Sequence, residues 1–239
     1  WPTRCEDVLI HNLTILNPEY GPNTDGLDID CCKRVRIYDC DITGGDDAIA
    51  LKSDSGLTGK DEFHTEDVVV TNCVLSGGTT SCGVRVGYEG DSIIRNCAFS
   101  NLTIRHCCMG IDIDGMLDGG RVVGCRVENI TFNNIVMTDV GNPIHFWLAI
   151  WKKDVTETQA RIKNIRVTNL IAESTRGCQI TGFEGKHAEN ISLSIDEKAT
   201  RLGPRIAAIG ERFGLPLDPS ALVHSLSVGQ RQRAEIIRC

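Results

Sequence analysis

Residues able to do chemistry concentrate in two short runs, Asn23-Thr24-Asp25-Gly26-Leu27-Asp28 and Gly44-Gly45-Asp46-Asp47-Ala48-Ile49. Either run alone reads as a turn, because Asp bonds its own backbone and Gly takes angles closed to other residues. Together they place Asp25, Asp46 and Asp47 at matching points of two successive repeats, and that coincidence favours a site. Carboxylates held close cannot all ionise freely, so at least one keeps its proton towards neutral pH. A carboxyl group beside ionised partners supplies what glycosidic cleavage requires, an acid for the leaving oxygen and a base for water. Clustered carboxylates also suit a hard cation such as calcium, which stands as the alternative.

The elements that must hold these residues follow from a repeat. Segments 7–15, 34–42, 67–75, 96–104, 129–137, 164–172 and 190–195 align on Val8, Val35, Val68, Cys97, Ile130, Ile165 and Ile191, at spacings of 27, 33, 29, 33, 35 and 26 residues. Apolar and polar residues alternate within them (Val8, Ile10; Val35, Ile37; Ile130, Phe132), the mark of a half-buried strand. Asn or Asp then recurs at Asn12, Asp39, Asn72, Asn101, Asn134 and Asn169, each before an apolar residue. That pattern predicts a bend in the left-handed region, with side chains stacking from rung to rung.

A second short strand is expected at 26–30, 48–52, 83–87, 110–114 and 143–147, with Leu27/Ile29, Ile49/Leu51, Val84/Val86, Ile111/Ile113 and Ile144/Phe146 pointing inward. The whole describes an all-β parallel solenoid of about seven rungs. Outward positions then form ladders: Asp28, Ala50, Arg85, Asp112 and His145, and beside them Asp30, Lys52, Gly87, Asp114 and Trp147. On this reading the three carboxylates meet on an exposed face within about 5 to 8 Å, a spacing set by strand separation. His145 and Trp147, at the far end of these ladders, form a candidate sugar platform, with ordinary surface positions as the alternative. His11, His64, His106 and His187 read as solvated histidines without evident partners, and Arg121 as a surface residue.

The chain of 239 residues, 41% hydrophobic and 24% charged, has ordinary globular composition and room for one or two domains. Its net charge of −7 is uneven: residues 1–198 carry 19 Lys/Arg against 29 Asp/Glu, residues 199–239 carry 6 against 3. An acidic body argues against nucleic acid as a partner. No apolar run approaches the roughly 18 to 20 residues of a membrane span, and no signal peptide is recognised. Beginning at Trp1, the sequence reads as a mature form or a fragment. Of the 12 cysteines, Cys40 and Cys73 occupy a slot that other repeats fill with Leu or Ile, so they are expected to be buried, reduced thiols. No pair has the C-x2-C spacing of a zinc site.

The runs NTDGLDI and GGDDAIALK resemble the N-T-D-G-[IL]-D and G-D-D-x-I-A-[IL]-K motifs of glycoside hydrolase family 28, the polygalacturonases and their relatives. The resemblance extends from residue 1 to near 195 and includes VENITFNNIVMTDVGNPI. It implies a right-handed parallel β-helix and inverting hydrolysis of pectic polysaccharide, polygalacturonan or rhamnogalacturonan, with no cofactor and no metal. A monomer located outside the cell or in the periplasm is expected. By motif position Asp46 would be the general acid, with Asp25 and Asp47 activating water. Two departures stand out: Cys82 occupies the place of the family's G-H-G histidine, and Asp112 and Asp114 those of the Arg and Lys of its R-I-K motif. Reversing the charge there would repel a uronate. Either the sugar at that subsite is less acidic, or Arg85 and Lys52 take over the carboxylate. A catalytically inactive solenoid that binds polysaccharide or acts as a scaffold is the alternative.

The repeat ends near residue 196, dividing the chain into domains 1–196 and 197–239. In the second, Ile206, Ile209 and Phe213 recur at helical spacing, predicting a short helical tail. Its run LSVGQRQR resembles the signature motif of ABC-transporter ATPases, in which Ser227, Gly229 and Gln230 would contact nucleotide. No G-x4-G-K-[ST] loop is present, so the match is read as vestigial and the tail as a fusion. A native helical cap on the open end of the solenoid is the other reading.

Overall fold

Alternating sequence becomes alternating burial. A computed structural model describes residues 1–54, 63–115, 124–148, 160–182, 185 and 188–195, all within one compact unit, Trp1–Ile195. In chain order the strands are β1 (Leu9–His11), β2 (Thr14–Leu16), β3 (Leu27–Asp30), β4 (Lys33–Tyr38), β5 (Asp41–Thr43), β6 (Ile49–Ser53) and β7 (Thr65–Thr71). There follow β8 (Val74–Ser76), β9 (Gly78–Gly90), β10 (Ile93–Asp114), β11 (Arg126–Trp147), β12 (Arg161–Ser174), β13 (Gln179–Thr181) and β14 (Glu189–Ile195). No described helix is long and apolar enough to cross a membrane.

All the pairings are parallel, and they wind the chain into a β-solenoid. One face stacks in the order β1-β4-β7-β10-β11-β12-β14, and β10 and β11 also turn the corners to join the other faces. The second face runs β2-β5-β8-β10, and the third stacks β3-β6-β9-β10-β11-β13. Register follows the sequence repeat: Val35 pairs with Val68, and Cys97 with Ile130, which in turn pairs with Ile165. On the third face Leu27, Ile49, Val84, Ile111 and Ile144 lie in one line, as expected.

The core sits inside the coil. Ile29, Ile49, Leu51, Val84, Val86, Ile111, Ile113, Ile144 and Phe146 are fully buried, and Phe99 stacks on Phe132 with ring centroids 4.8 Å apart. Each such aliphatic side chain contributes about 1.5–3 kcal/mol on leaving water, so the interior is the main source of cohesion. The buried cysteines Cys31, Cys32, Cys40, Cys73, Cys82, Cys97, Cys107 and Cys125 are free thiols and act as small core residues.

The recurring Asn/Asp positions are bends in the left-handed region: φ is 55° at Asn12, 54° at Asp39, 55° at Asn72, 54° at Asn101 and Asn134, and 52° at Asn169. Asn101 Nδ2 donates to Asn72 Oδ1 at 3.2 Å and Asn134 Nδ2 to Asn101 Oδ1 at 2.8 Å. A second ladder went unread in the sequence. The residue before each repeat anchor (Asp7, Arg34, Asp67, Asn96, Asn129, Asn164, Asn190) also has positive φ. Its amides bond from Asn129 to Asn96, Asn164 to Asn129 and Asn190 to Asn164, at 3.1, 2.8 and 2.8 Å.

The third face corrects one expectation. Its outward ladders are not exposed: Asp28, Asp30, Lys52, Asp112, Asp114 and His145 are all buried. At Asp28, Lys52 and Asp112 the cover is mutual. Long charged side chains on adjacent rungs fold onto one another, Tyr88 lies against the Arg85 guanidinium, and the Trp1 ring lies against the Lys52 ammonium. The expected helical tail, and with it Ser227, Gly229, Gln230, Arg121 and His187, lies outside the described residues.

Candidate active site

Asp25 stands two residues before β3, and Asp46 and Asp47 stand just before β6. These two turns stack because Gly26 N donates to Asp47 O at 2.8 Å. The approach is close enough to require glycine: a Cβ on Gly26 would lie 2.2 Å from Ile42 Cγ2 and 2.4 Å from Ala48 O. Oxygens of Asp25, Asp46 and Asp47 come within 4.8 Å of one another, tighter than strand spacing alone suggested.

The three carboxyl groups differ in their surroundings. Asp46 Oδ1 accepts from the Asp47 backbone N at 3.0 Å and from Ser81 Oγ at 2.8 Å. Asp47, 4% exposed, accepts from Cys82 N at 2.9 Å through Oδ1 and from Arg85 Nε through Oδ2. Burial raises the Asp47 pKa, while Arg85 works against the rise. At Asp25 burial and then the Asp28 charge push the pKa up to about 6, opposed by Lys52. Lys52 Nζ lies 2.9 Å from Asp28 Oδ2 and 3.6 Å from Asp25 Oδ2. The other oxygen of Asp28, Oδ1, is buried with no hydrogen-bond partner. A proton on Asp25 would supply the donor that this oxygen lacks.

A chain of ion pairs continues along the ladder. Arg85 joins Asp47 to Asp112, its Nη1 lying 3.0 Å from Asp112 Oδ2. Asp112, 1% exposed, takes a hydrogen bond from His145 Nδ1 at 2.6 Å. An ionised carboxylate only accepts, so Nδ1 carries the hydrogen. His145 in turn meets Trp147 edge to face at 5.5 Å. Cys82 Sγ stands 3.8 Å from Asp112 Oδ2. Burial, followed by the Asp112 and Asp47 charges, lifts the thiol pKa well above its usual range. Cys82 is therefore a neutral thiol and contributes no positive charge.

Asp25, Asp46, Asp47, Lys52, Arg85, Asp112 and His145 thus meet in one connected array, with Trp147 at its end. Asp114 pairs in register with Trp147 on the neighbouring ladder and is buried. Sequence reading missed the contributions of Asp28 and Ser81 to this array. Asp28 was legible in the ladder, whereas Ser81 carried no signal. It also left the histidines without partners: His64 bonds Ser92 Oγ at 2.9 Å, and His106 bridges Asp139 at 2.9 Å and Glu19 at 3.3 Å.

The chain is 30% identical over 164 residues to a probable polygalacturonase of Arabidopsis thaliana, a match covering 57% of this chain and 36% of that one. It is 31% identical over 156 residues to a polygalacturonase of Persea americana, covering 59% of this chain and 28% of the relative. The chain therefore spans well under half the length of these relatives. The crystal structure of an exopolygalacturonase from Thermotoga maritima shares the fold, with a TM-score of 0.64 at 24% identity over 80% of this chain and 42% of that one. The family model for glycosyl hydrolases family 28 matches residues 2–204. Those residues include both aspartate turns and the ladder built on them, and the chain belongs to glycosyl hydrolase family 28.

Proposed function

We propose that this chain carries the acid/base centre of a glycoside hydrolase acting on pectic polysaccharide, mounted on a right-handed β-helix of about seven rungs. The observation that carries the reading is the set Asp25, Asp46 and Asp47, gathered within 4.8 Å with a proton retained on Asp25 up to about pH 6. Motif position assigns Asp46 as general acid and Asp25 with Asp47 as the pair that activates water. At rest the proton is held by Asp25 against Asp28. Carboxyl groups this close titrate as a unit, so the acid's role belongs to the set once a glycosidic oxygen is beside Asp46.

Inversion draws its support from the family resemblance. Carboxyl pairs of inverting enzymes usually stand about 6.5–9.5 Å apart and those of retaining enzymes about 5–5.5 Å; selected oxygens within 4.8 Å of one another do not discriminate between the two. Proton NMR of the first-formed product decides it: inversion requires an anomer opposite to the bond cleaved.

A cation at the same three residues is the weaker reading, because Asp47 has both oxygens engaged and one of them faces the Arg85 guanidinium. Chelator treatment is expected to leave turnover unchanged. The chain is further proposed to act as a monomer, outside the cell or in the periplasm, with residues 197–239 as a separate helical segment and no nucleic-acid partner. Reducing-end release from polygalacturonate, rhamnogalacturonan and neutral galactan, measured beside Asp46→Asn, tests the central reading. Turnover indifferent to that substitution would sink it and leave a solenoid that only binds polysaccharide.

A further inference from the structure

Among the described residues, the two cations of this array are already neutralised. Lys52 serves Asp28 and Asp25, and Arg85 serves Asp47 and Asp112. Both are largely buried, with side-chain exposures of 10% and 13%. A substrate carboxylate arriving at either would have to displace a buried aspartate and leave that charge unpaired. It would also approach Asp25, Asp28, Asp46, Asp47 and Asp112 together, in a setting where low dielectric strengthens repulsion.

The rest of the array consists of acceptors and aromatic surface. Asp112 fixes the hydrogen of His145 on Nδ1, so in the neutral ring Nε2 is an acceptor. Trp147 offers an indole edge-on to that ring, and an aromatic face of this kind packs against the CH surface of a pyranose. Acceptors beside an indole bind hydroxyl donors.

Resting on the glycosidase reading above, we infer that the sugar bound over the Arg85–Asp112–His145 stretch is uncharged, a neutral or methyl-esterified pyranose recognised through its hydroxyl groups. The structure thereby chooses between the two alternatives left by the sequence: Lys52 and Arg85 are committed internally, and the less acidic sugar remains.

Matched oligogalacturonides with free and with fully methyl-esterified carboxyl groups differ in charge and by one ester methyl per sugar. Their binding is measured by titration calorimetry with the full chain carrying Asp46→Asn, so that affinity is read without turnover. The esterified oligomer is expected to bind at least about tenfold tighter. Added salt should strengthen binding of the acid oligomer, by screening repulsion, and leave the ester unchanged. Asp112→Asn releases one arm of Arg85 and should shift the preference several-fold towards the acid. Equal or tighter binding of the acid oligomer overturns the inference, as does a preference that Asp112→Asn fails to move, or no binding of either oligomer. Turnover by the unsubstituted chain on whichever oligomer binds judges the glycosidase reading separately: binding without cleavage refutes that reading and leaves the charge preference standing.

Discussion

Asn96, Asn129, Asn164 and Asn190 stack along one corner of the coil, each of the last three donating its amide to the one on the preceding rung. On the face built from β3, β6, β9, β10, β11 and β13, the equivalent line reads Asp28, Ala50, Arg85, Asp112 and His145. Both lines hang on the same backbone register, yet one repeats a neutral group and the other changes chemistry at every rung. The amide ladder satisfies its own hydrogen bonds. The acidic line leaves Asp28 Oδ1 unpaired unless Asp25 is protonated, holds Asp47 buried, and by burial pushes the Asp25 pKa up to about 6. Identity between rungs serves stability, and difference between them assembles a site at stability's expense.

That contrast is broken most visibly through activity. Asp46→Asn should lower turnover by about 10²–10⁴-fold, the usual worth of a general acid, with little change in melting temperature. On the amide side the effect should reverse. Asn134→Ala removes the bond to Asn101 and forces alanine into φ 54°, so unfolding free energy should fall by about 1–3 kcal/mol while KM and kcat hold.

A finer division comes from Asp25→Asn, expected to abolish activity and yet stabilise the fold. The folded state keeps a proton that the unfolded chain, with the ordinary carboxylate value of 3.8, has lost, so the wild type is favoured at low pH and loses that advantage as pH rises to about 6. Above that the penalty of an ionised Asp25 is complete. Thermal melts should therefore show the variant about 1–2 kcal/mol more stable near pH 7–8, with the gain vanishing below about pH 4. An equal gain at all pH values would refute the shared proton.

The smallest effect concerns His106, whose partners Asp139 and Glu19 raise its pKa. Glu19 lies in the segment leading to Asp25, whose carbonyl accepts from Asn17 Nδ2 at 2.7 Å. A raised histidine stabilises fully below its unfolded pKa and loses the contribution as pH climbs through the folded one. Hydrogen exchange of residues 17–25 should quicken modestly over that rise, and His106→Gln should remove the pH dependence.

Much of this was legible because a solenoid repeats its local rules. Period-two alternation fixed which of Val84, Arg85 and Val86 points inward, and recurring asparagines marked the left-handed bends, since few other residues accept that conformation. The second ladder was readable too, one residue before each anchor, but Asp7, Arg34 and Asp67 disguise it in the early rungs. Family motifs located the three aspartates. What escaped were contacts across rungs whose partners have no fixed offset, such as Ser81 with Asp46 and Glu19 with His106.

By itself, then, the sequence determined the coil, its register, its interior and the meeting of Asp25 with Asp46 and Asp47, because parallel stacking turns a repeat interval into a spatial neighbour. Only the tertiary structure decided that the outward ladder is buried, that Lys52 and Arg85 are spent on aspartates, and that Asp112 orients His145. Those outcomes depend on where long side chains end rather than where they begin, and on the low dielectric their mutual cover creates.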